Sequence, residues 1–255
     1  GRRRKWHVGC AKVPKEKIVS ASVYARLSAM MFVQFFIWGA WFVTLGTYLA
    51  RIGFSGSDIG FAYLTNNIGA MVAPFFVGMI ADRFFPSQKI LGVLHIAGAA
   101  VLFTVSDLEA QSAIIIGLVL YNICYMPTLA LVNAVSFGAM EVPDTQFPKV
   151  RVWGTLGWIA AGLAISFVLS GFVEGVEATS LPMKLAAAAS LVLGLYSFTL
   201  PNTPPQNAGA KVTVKELLGF DALSLLKDRS FAVFALCSLL VSIPLAFYYA
   251  FTNLF

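Results

Sequence analysis

The chain has 255 residues, of which 58% are hydrophobic and 12% are charged, and its formal net charge is +6. Soluble domains carry about 25% charged residues, and a soluble core could not hide so much apolar surface with so little charge facing water. The composition therefore excludes an ordinary soluble domain. It predicts an all-α membrane protein, because a hydrocarbon core about 30 Å thick is crossed by helices of about 20 apolar residues.

Apolar runs divide the chain into a basic tail (residues 1–27), a six-helix bundle (28–200), a linker (201–230) and a further span (231–255). The spans are predicted at about 28–50, 59–81, 88–106, 112–138, 150–173, 183–200 and 231–255. Two six-helix halves joined by a long linker are the layout of major facilitator superfamily transporters. The last run is cut off at Phe255, so we expect a fragment that holds the N-terminal half-bundle and the first helix of the second half, and that does not transport alone.

Basic residues indicate the orientation of these spans. Sixteen of the eighteen Lys and Arg residues lie in the N-terminal tail and in the connections after spans two, four and six, whereas the opposite connections hold only Arg51 and Lys184. Basic connections stay on the cytosolic side, so the N-terminus is predicted to be cytosolic. The linker contains an amphipathic stretch, Val214–Leu226, which is predicted to lie as a helix on the inner membrane surface.

One face of the first span carries polar and aromatic side chains. Gln34, Trp38, Trp41, Leu45 and Tyr48 follow one another at helical spacing. An amide and large aromatic rings on one stripe suit a planar heterocycle, which stacks on rings and forms hydrogen bonds at its edge. The alternative is an aromatic belt with packing, which fits Tyr48 near the outer end better than the two mid-membrane tryptophans.

The fourth span places Asn122 and Asn133 on one face, and Pro127 between them permits a bend. Amides at membrane depth are costly without partners, so both asparagines are predicted to face protein or a water-filled cavity. Substrate binding and hydrogen bonding between helices are both open at these positions.

The fifth span carries a cation, a hydroxyl and an indole on one face, because Arg151, Thr155 and Trp158 lie at i, i+4 and i+7. This face is a candidate ligand site, and the alternative for the arginine alone is an anchor at the inner leaflet. Gly154 and Gly157 on the same segment are predicted to let a neighbouring helix approach closely.

Enzyme signatures are absent from the sequence: it has no GxSxG, no HExxH, no Walker loop and no pair of carboxylates within a span. Cys10, Cys124 and Cys237 lack CxxC spacing and indicate neither a disulfide framework nor a metal site. His95, alone in the third span, is interpreted as a packing or hydrogen-bonding residue rather than a proton relay. We expect a monomer in the lipid bilayer that is not an enzyme, needs no cofactor or metal and binds no nucleic acid.

The connection after the second span contains Gly78, Asp82 and Arg83 and resembles the loop signature of the major facilitator superfamily. In that superfamily the aspartate caps and pairs across the inner gate. The resemblance therefore implies a conformational lock at these three residues. Phe85 stands where the superfamily usually has glycine.

Four segments, taken in order, resemble the bacterial nucleoside:proton symporter family, which includes nucleoside and xanthosine permeases of the major facilitator superfamily. They are Gln34–Tyr48, Tyr125–Asn133, Phe147–Gly157 and Leu217–Arg229. The likeness runs from about Leu27 to Phe255. It implies import of nucleosides driven by a proton gradient, across the bacterial inner membrane.

The resemblance also implies roles for single residues. Arg151, Thr155 and Trp158 align with the family's nucleoside site, whereas Leu245 and Tyr248 stand in the seventh span where the family has amides. The proton-coupling carboxylates of the family lie in its second half. Two alternatives remain open: a proton-coupled symporter of sugars or other small polar solutes, and a membrane protein that binds a solute without transporting it.

Overall fold

The computed structural model describes residues 20–205 and 220–252, apart from the side chains of residues 72–76, 78–82, 220–223 and 250. Within this part all regular elements are helices, and there is no β-strand. The α-helices are α1 (Ala21–Phe42), α2 (Leu45–Arg51), α3 (Gly56–Arg83), α4 (Ser87–Val105), α5 (Gln111–Gly138), α6 (Pro143–Leu163), α7 (Leu181–Ser197) and α8 (Arg229–Phe251). A π-helical segment, Ala164–Leu169, extends α6, and short 3-10 helices lie at Val176–Ala178 and Phe220–Lys227.

Five helical segments of the described chain are long and apolar enough to cross a bilayer. They are Ala21–Arg51, Ser87–Val105, Gln111–Gly138, Pro143–Leu169 and Arg229–Tyr249. The other two predicted spans correspond to α3, which has 28 residues, and to the apolar α7, which has 17. At 1.5 Å per residue α7 is about 26 Å long, close to the thickness of the hydrocarbon core. The predicted all-α membrane architecture is confirmed.

The ends of several helices follow from local sequence. The Ser20 hydroxyl accepts a hydrogen bond from the Val23 amide (3.3 Å) at the start of α1, and Asp228 Oδ1 accepts one from the Phe231 amide (2.9 Å) at the start of α8. Pro143 begins α6, where its missing N–H costs nothing. This proline makes α6 start seven residues before the predicted fifth span. α5 continues through Pro127 as one helix.

The first predicted span is broken between α1 and α2. The Tyr63 hydroxyl of α3 donates to the Phe42 carbonyl (2.9 Å) and accepts from the Gly46 amide (3.0 Å). In an uninterrupted α-helix these two backbone groups would bond to each other, so the hydroxyl is inserted into one rung of the helical ladder. A side chain inserted in this way is a known cause of helix kinks.

Helix packing is closest where glycine faces a neighbouring backbone. α1 packs against α6 and α7, α4 packs against α5 and α7, and α3 packs against α5. A Cβ atom added to Gly157 of α6 would lie 2.0 Å from the Phe32 carbonyl oxygen of α1, and one added to Gly69 of α3 would lie 2.8 Å from Asn122 of α5. These contacts need a residue without a side chain, as the sequence predicted for Gly157.

A buried polar network ties α1, α4, α5 and α7 together. The Gln34 amide donates to the Thr128 hydroxyl (2.7 Å), and Gln34 Oε1 lies 2.8 Å from His95 Nε2. His95 Nδ1 lies 2.9 Å from the Ser190 hydroxyl, and the Tyr125 hydroxyl donates to the Gln34 carbonyl (2.7 Å). The structure thus gives His95 the hydrogen-bonding role that the sequence predicted.

Polar contacts also fix the two ends of the bundle. At the end where the linker begins, Gln88 of α4 donates to Asn202 Oδ1 (2.8 Å) and accepts from the Thr203 amide (2.9 Å). At the opposite end Lys184 of α7 pairs with Asp107 at 2.6 Å. These bonds hold the neighbouring chain segments against the helix ends.

Among the described residues, α8 makes few contacts with the six-helix bundle. The predicted surface helix at Val214–Leu226 begins outside the described residues, which resume with the 3-10 helix. Most described side chains of α8 are exposed, while Tyr249 lies against Trp158 and Phe42, with ring centroids 5.7 and 6.4 Å apart. α8 therefore contacts the bundle mainly beside the cavity described next.

Candidate functional site

A cavity of about 540 Å³ opens between α1, α3, α6 and α8. α1 contributes Phe35, Trp38 and Phe42, α3 contributes Tyr63, Asn66 and Asn67, α6 contributes Arg151, Gly154, Thr155 and Trp158, and α8 contributes Ser242, Leu245, Ala246 and Tyr249. Pockets of about 300–1,000 Å³ bury one small organic ligand, so this cavity has the right size for a solute with two rings. Six of these fourteen residues are aromatic, and five others carry polar side chains.

The α6 wall brings together the three residues that the sequence placed on one face. The guanidinium carbon of Arg151 lies 4.1 Å from the centroid of the Phe35 ring, a cation–π contact. Gly154 makes this contact possible, because a Cβ there would lie 2.7 Å from both the guanidinium and the Phe35 ring. Thr155 is exposed to the cavity one turn beyond Arg151, and Trp158 follows.

Aromatic rings form a corner of the cavity. The centroids of Trp38 and Trp158 are 5.5 Å apart with planes at 82°, and Tyr249 packs against Trp158 from α8. Trp38 Nε1 is buried and has no hydrogen-bond partner among the described residues. The corner therefore offers ring faces for stacking.

Four predicted site residues, Gln34, Trp41, Asn122 and Asn133, do not line the cavity. Gln34 and Asn122 are fully buried, and Asn122 donates to the Thr65 hydroxyl of α3 at 3.0 Å. Trp41 is 1% exposed and meets the edge of Tyr121 at 5.1 Å, while Asn133 is half-buried on α5. The face of α1 is shared between two neighbourhoods: Gln34 and Trp41 turn toward α4 and α5, and Trp38 borders the cavity.

The sequence interpretation missed the α3 wall. Tyr63, Asn66 and Asn67 lie at i, i+3 and i+4, and two adjacent asparagines inside an apolar run are unusual at membrane depth. This pair of asparagines in the second span could have predicted the α3 wall from the sequence. Ser242, in the predicted seventh span, also lines the cavity and was not singled out.

The predicted gate lies at the end of α3 rather than in a long loop. Gly78 and Asp82 belong to its last turns, with side chains outside the described part, and Arg83 is its final residue. Only Phe84–Pro86 separate α3 from α4. The lock remains a prediction. No three His, Cys, Asp or Glu side chains within the described ranges lie close enough to share a metal ion.

Known proteins share both the sequence and the fold. The family model described as "Nucleoside H+ symporter" matches residues 21–255. The putative nucleoside transporter YegT of Escherichia coli (strain K12) is 45% identical over 231 residues, which is 90% of this chain and 54% of that protein. The xanthosine permease and the nucleoside permease NupG of the same organism are 34% and 33% identical over 92% and 90% of this chain, and over 56% and 55% of their own lengths.

Solved structures of one of these relatives have a similar fold. The crystal structure of the nucleoside transporter NupG (D323A mutant) superposes with a TM-score of 0.79 at 32% identity, over 91% of this chain and 57% of that one. A second NupG crystal structure gives a TM-score of 0.75 over the same shares. The chain spans about half the length of the curated relatives it matches. It is a multi-pass membrane protein with the helical fold of a major facilitator half-bundle, and it belongs to the nucleoside H+ symporter family.

Proposed function

We propose that the protein imports nucleosides by alternating access, driven by a proton gradient, and that this chain supplies one side of the nucleoside site. One observation carries the proposal: Arg151, Thr155 and Trp158 of α6 line a single cavity together with Trp38 of α1. Relatives named as nucleoside transporters and permeases support the same substrate class.

Each of these residues has a chemical use toward a nucleoside. The guanidinium of Arg151 offers several N–H donors in one plane, which suit the carbonyl and ring-nitrogen acceptors of a base. The indoles of Trp38 and Trp158 offer faces for stacking, and base–aromatic stacking contributes about 1–3 kcal/mol per base. The Thr155 hydroxyl both donates and accepts, as sugar hydroxyls require.

The proposal also covers the oligomeric state, the location and the topology of the protein. We infer a monomer in the bacterial inner membrane with a cytosolic N-terminus, acting as a transporter and not as an enzyme, without cofactor and without nucleic acid. Among the described residues that line the cavity there is no carboxylate. The groups that couple proton and solute are therefore proposed to lie outside this part of the cavity wall.

Uptake by cells tests the proposal. The complete gene product, expressed in bacteria that lack their own nucleoside uptake, is expected to accumulate labelled uridine or adenosine faster in acidic medium, and a protonophore should abolish the accumulation. Arg151→Ala should reduce uptake about tenfold or more, because it removes a charged hydrogen-bond donor from the site. The matched variant Arg51→Ala, at the exposed end of α2, should transport normally. Failure to take up any nucleoside of a broad panel would overturn the proposal.

Sugars are a second candidate, because the tryptophan pair at the cavity corner stacks a sugar ring as readily as a base. Competition separates the two substrate classes. Excess unlabelled nucleoside is expected to block uptake, whereas excess free ribose or glucose is expected to leave it unchanged. The reverse pattern would favour the sugar transporter.

A further inference from the structure

The α3 wall of the cavity carries three polar side chains that differ in how their hydrogen bonds are used. The Tyr63 hydroxyl is committed to the break in the first span, where it bonds to Phe42 and Gly46. Asn66 lies one turn farther along α3, and Asn67 follows it with an exposed side chain. Tyr63 thus contributes its ring to the cavity wall but has no free polar group. On this wall, only the amides of Asn66 and Asn67 are left as candidates for hydrogen bonds to a solute.

Contacts on both sides of Asn66 fix its position. Tyr63 anchors the preceding turn of α3 to the first span. On the opposite side, the Asn122 amide donates to the Thr65 hydroxyl at 3.0 Å, and Gly69 packs directly on Asn122. Asn66 is therefore presented from a helix held at two points, which fixes its position on the cavity wall.

The Asn66 amide is left with unused hydrogen-bonding capacity. Its Oδ1 atom is buried and accepts no hydrogen bond from the described residues. Asn122 Oδ1 is also unpaired, but Asn122 is enclosed against Gly69 and does not line the cavity, so no solute reaches it. A buried acceptor without a partner is costly. Because the half-buried Asn66 side chain lines the cavity, it can turn its amide toward a ligand that supplies the missing donor, which recovers that cost.

The chemistry of an amide matches one part of a nucleoside. Nucleobase edges present a donor and an acceptor side by side, as uracil does with N3–H and O4 and as adenine does with its exocyclic amine and a ring nitrogen. Arginine and tryptophan only donate, whereas an asparagine amide offers a donor and an acceptor in one plane. Bidentate pairing of asparagine with adenine is an established mode of base recognition. Of the two amides on this wall, Asn66 has the buried, unpaired acceptor.

We propose that Asn66 is the residue that reads the hydrogen-bonding edge of the nucleobase, and that it thereby sets which solutes the site accepts. Rotation about its terminal torsion, which has a broad energy profile, exchanges the donor and acceptor positions, so one amide reads both the uracil and the adenine edge. The inference rests on the proposed function, because it assigns a part of the substrate to a residue of the same cavity.

Matched pairs of ligands test this assignment. The purified complete gene product is titrated with uridine and 3-methyluridine, in which a methyl group replaces the N3–H donor, and with adenosine and purine riboside, which lacks the exocyclic amine. The wild-type protein is expected to bind the complete base about tenfold more tightly in at least one pair, since the analogue leaves Asn66 unpaired. Asn66→Ala is expected to remove that preference, so that both members of the pair bind equally weakly.

Three further variants identify the source of any change. Asn66→Ser keeps a small polar residue and should also lose the preference, which covers the case in which Asn66→Ala does not fold. Thr155→Ala should weaken both members of a pair by the same factor and keep their ratio. Gln111→Ala removes an exposed amide at the start of α5, outside the cavity, and should change neither affinity nor ratio.

The outcomes separate the inference from the function beneath it. If wild-type protein binds nucleosides and Asn66→Ala keeps the preference for the complete base, the assignment of Asn66 is overturned and nucleoside transport stands. The same holds if wild-type protein binds nucleosides without preferring the complete base in either pair. If wild-type protein binds no nucleoside at all, the proposed function fails and the assignment fails with it.

Discussion

The two neighbourhoods that share α1 both contain polar side chains at membrane depth, but the Gln34–His95 network differs from the cavity wall in how its side chains are paired. Beside that network, Trp41 Nε1 and the Tyr121 hydroxyl also lack hydrogen-bond partners among the described residues. Toward α4 and α5, Gln34 and His95 have partners at every side-chain nitrogen and oxygen. Toward the cavity, Trp38 Nε1 and Asn66 Oδ1 are buried without partners among the described residues. A satisfied polar network holds helices together, whereas an unsatisfied group beside a cavity gains a hydrogen bond when its side chain turns toward a ligand.

The hydrogen bonds of the network also define its proton positions. The Thr128 hydroxyl donates to the Tyr125 carbonyl (2.5 Å) and so accepts from the amide of Gln34. The other end of that amide is an acceptor, so His95 donates from Nε2. The network thus has one consistent direction through three helices, and both polar atoms of the Gln34 side chain are used within the protein.

Substitution of one tryptophan in each neighbourhood, Trp41 and Trp158, is expected to give the largest difference between them. Trp41→Ala should lower the free energy of unfolding by about 3 kcal/mol, because it empties a fully buried position beside Tyr121. Trp158→Ala should instead weaken nucleoside binding by about 2 kcal/mol through lost stacking, with a smaller effect on stability. Thermal unfolding of the detergent-purified complete gene product and nucleoside titration measure the two effects. Equal losses of stability in both variants would remove the distinction.

Removing Gln34 tests the paired neighbourhood directly. Gln34→Leu keeps a similar volume but removes one hydrogen-bond partner each from His95 and Thr128, so the free energy of unfolding should fall by about 2 kcal/mol. Nucleoside affinity of the folded protein should stay within about twofold, since Gln34 does not line the cavity. Gln111→Leu, at an exposed position, is the control for stability. A large loss of nucleoside affinity at an unchanged melting temperature would instead indicate that Gln34 belongs to the ligand site.

Two threonines provide the smallest and sharpest comparison. Thr128→Val removes a hydroxyl with two buried hydrogen bonds and should destabilise the protein by about 1 kcal/mol without changing selectivity. Thr155→Val removes an exposed cavity hydroxyl and should reduce uptake about fivefold at unchanged stability, because a single hydrogen bond to the solute is lost. Melting curves and initial uptake rates at low substrate concentration distinguish them. Identical behaviour of the two variants would contradict the comparison.

Much of the fold was predictable because membrane helices are encoded locally. Runs of about 20 apolar residues locate the spans, and the one-sided face of Arg151, Thr155 and Trp158 survives in the structure because an α-helix keeps its own period. The start of α6 at Pro143 was missed because the polar first turns of that helix do not resemble a membrane span. Local sequence predicts the hydrophobic part of a helix better than its ends.

The membership of the cavity was only partly predictable, because it depends on which helices become neighbours. Gln34 and Trp38 are about 40° apart around α1, too little for a sequence pattern to assign them to different neighbourhoods. The break after Phe42 depends on Tyr63, a residue of another helix. Asn66 is recognisable from the local sequence as a polar residue within an apolar run. Its role, however, depends on the cavity that α6 and α8 form opposite it.

The Tyr63 hydroxyl inside the first span has a consequence for motion. It replaces one backbone bond, from Gly46 to Phe42, with two bonds to itself. Withdrawal of α3 therefore costs a net one hydrogen bond, because the backbone groups can pair with each other once the hydroxyl has left. The break is therefore inexpensive to reverse: if α3 withdrew, the first span could straighten for the loss of about one hydrogen bond, and the return of the hydroxyl would break it again.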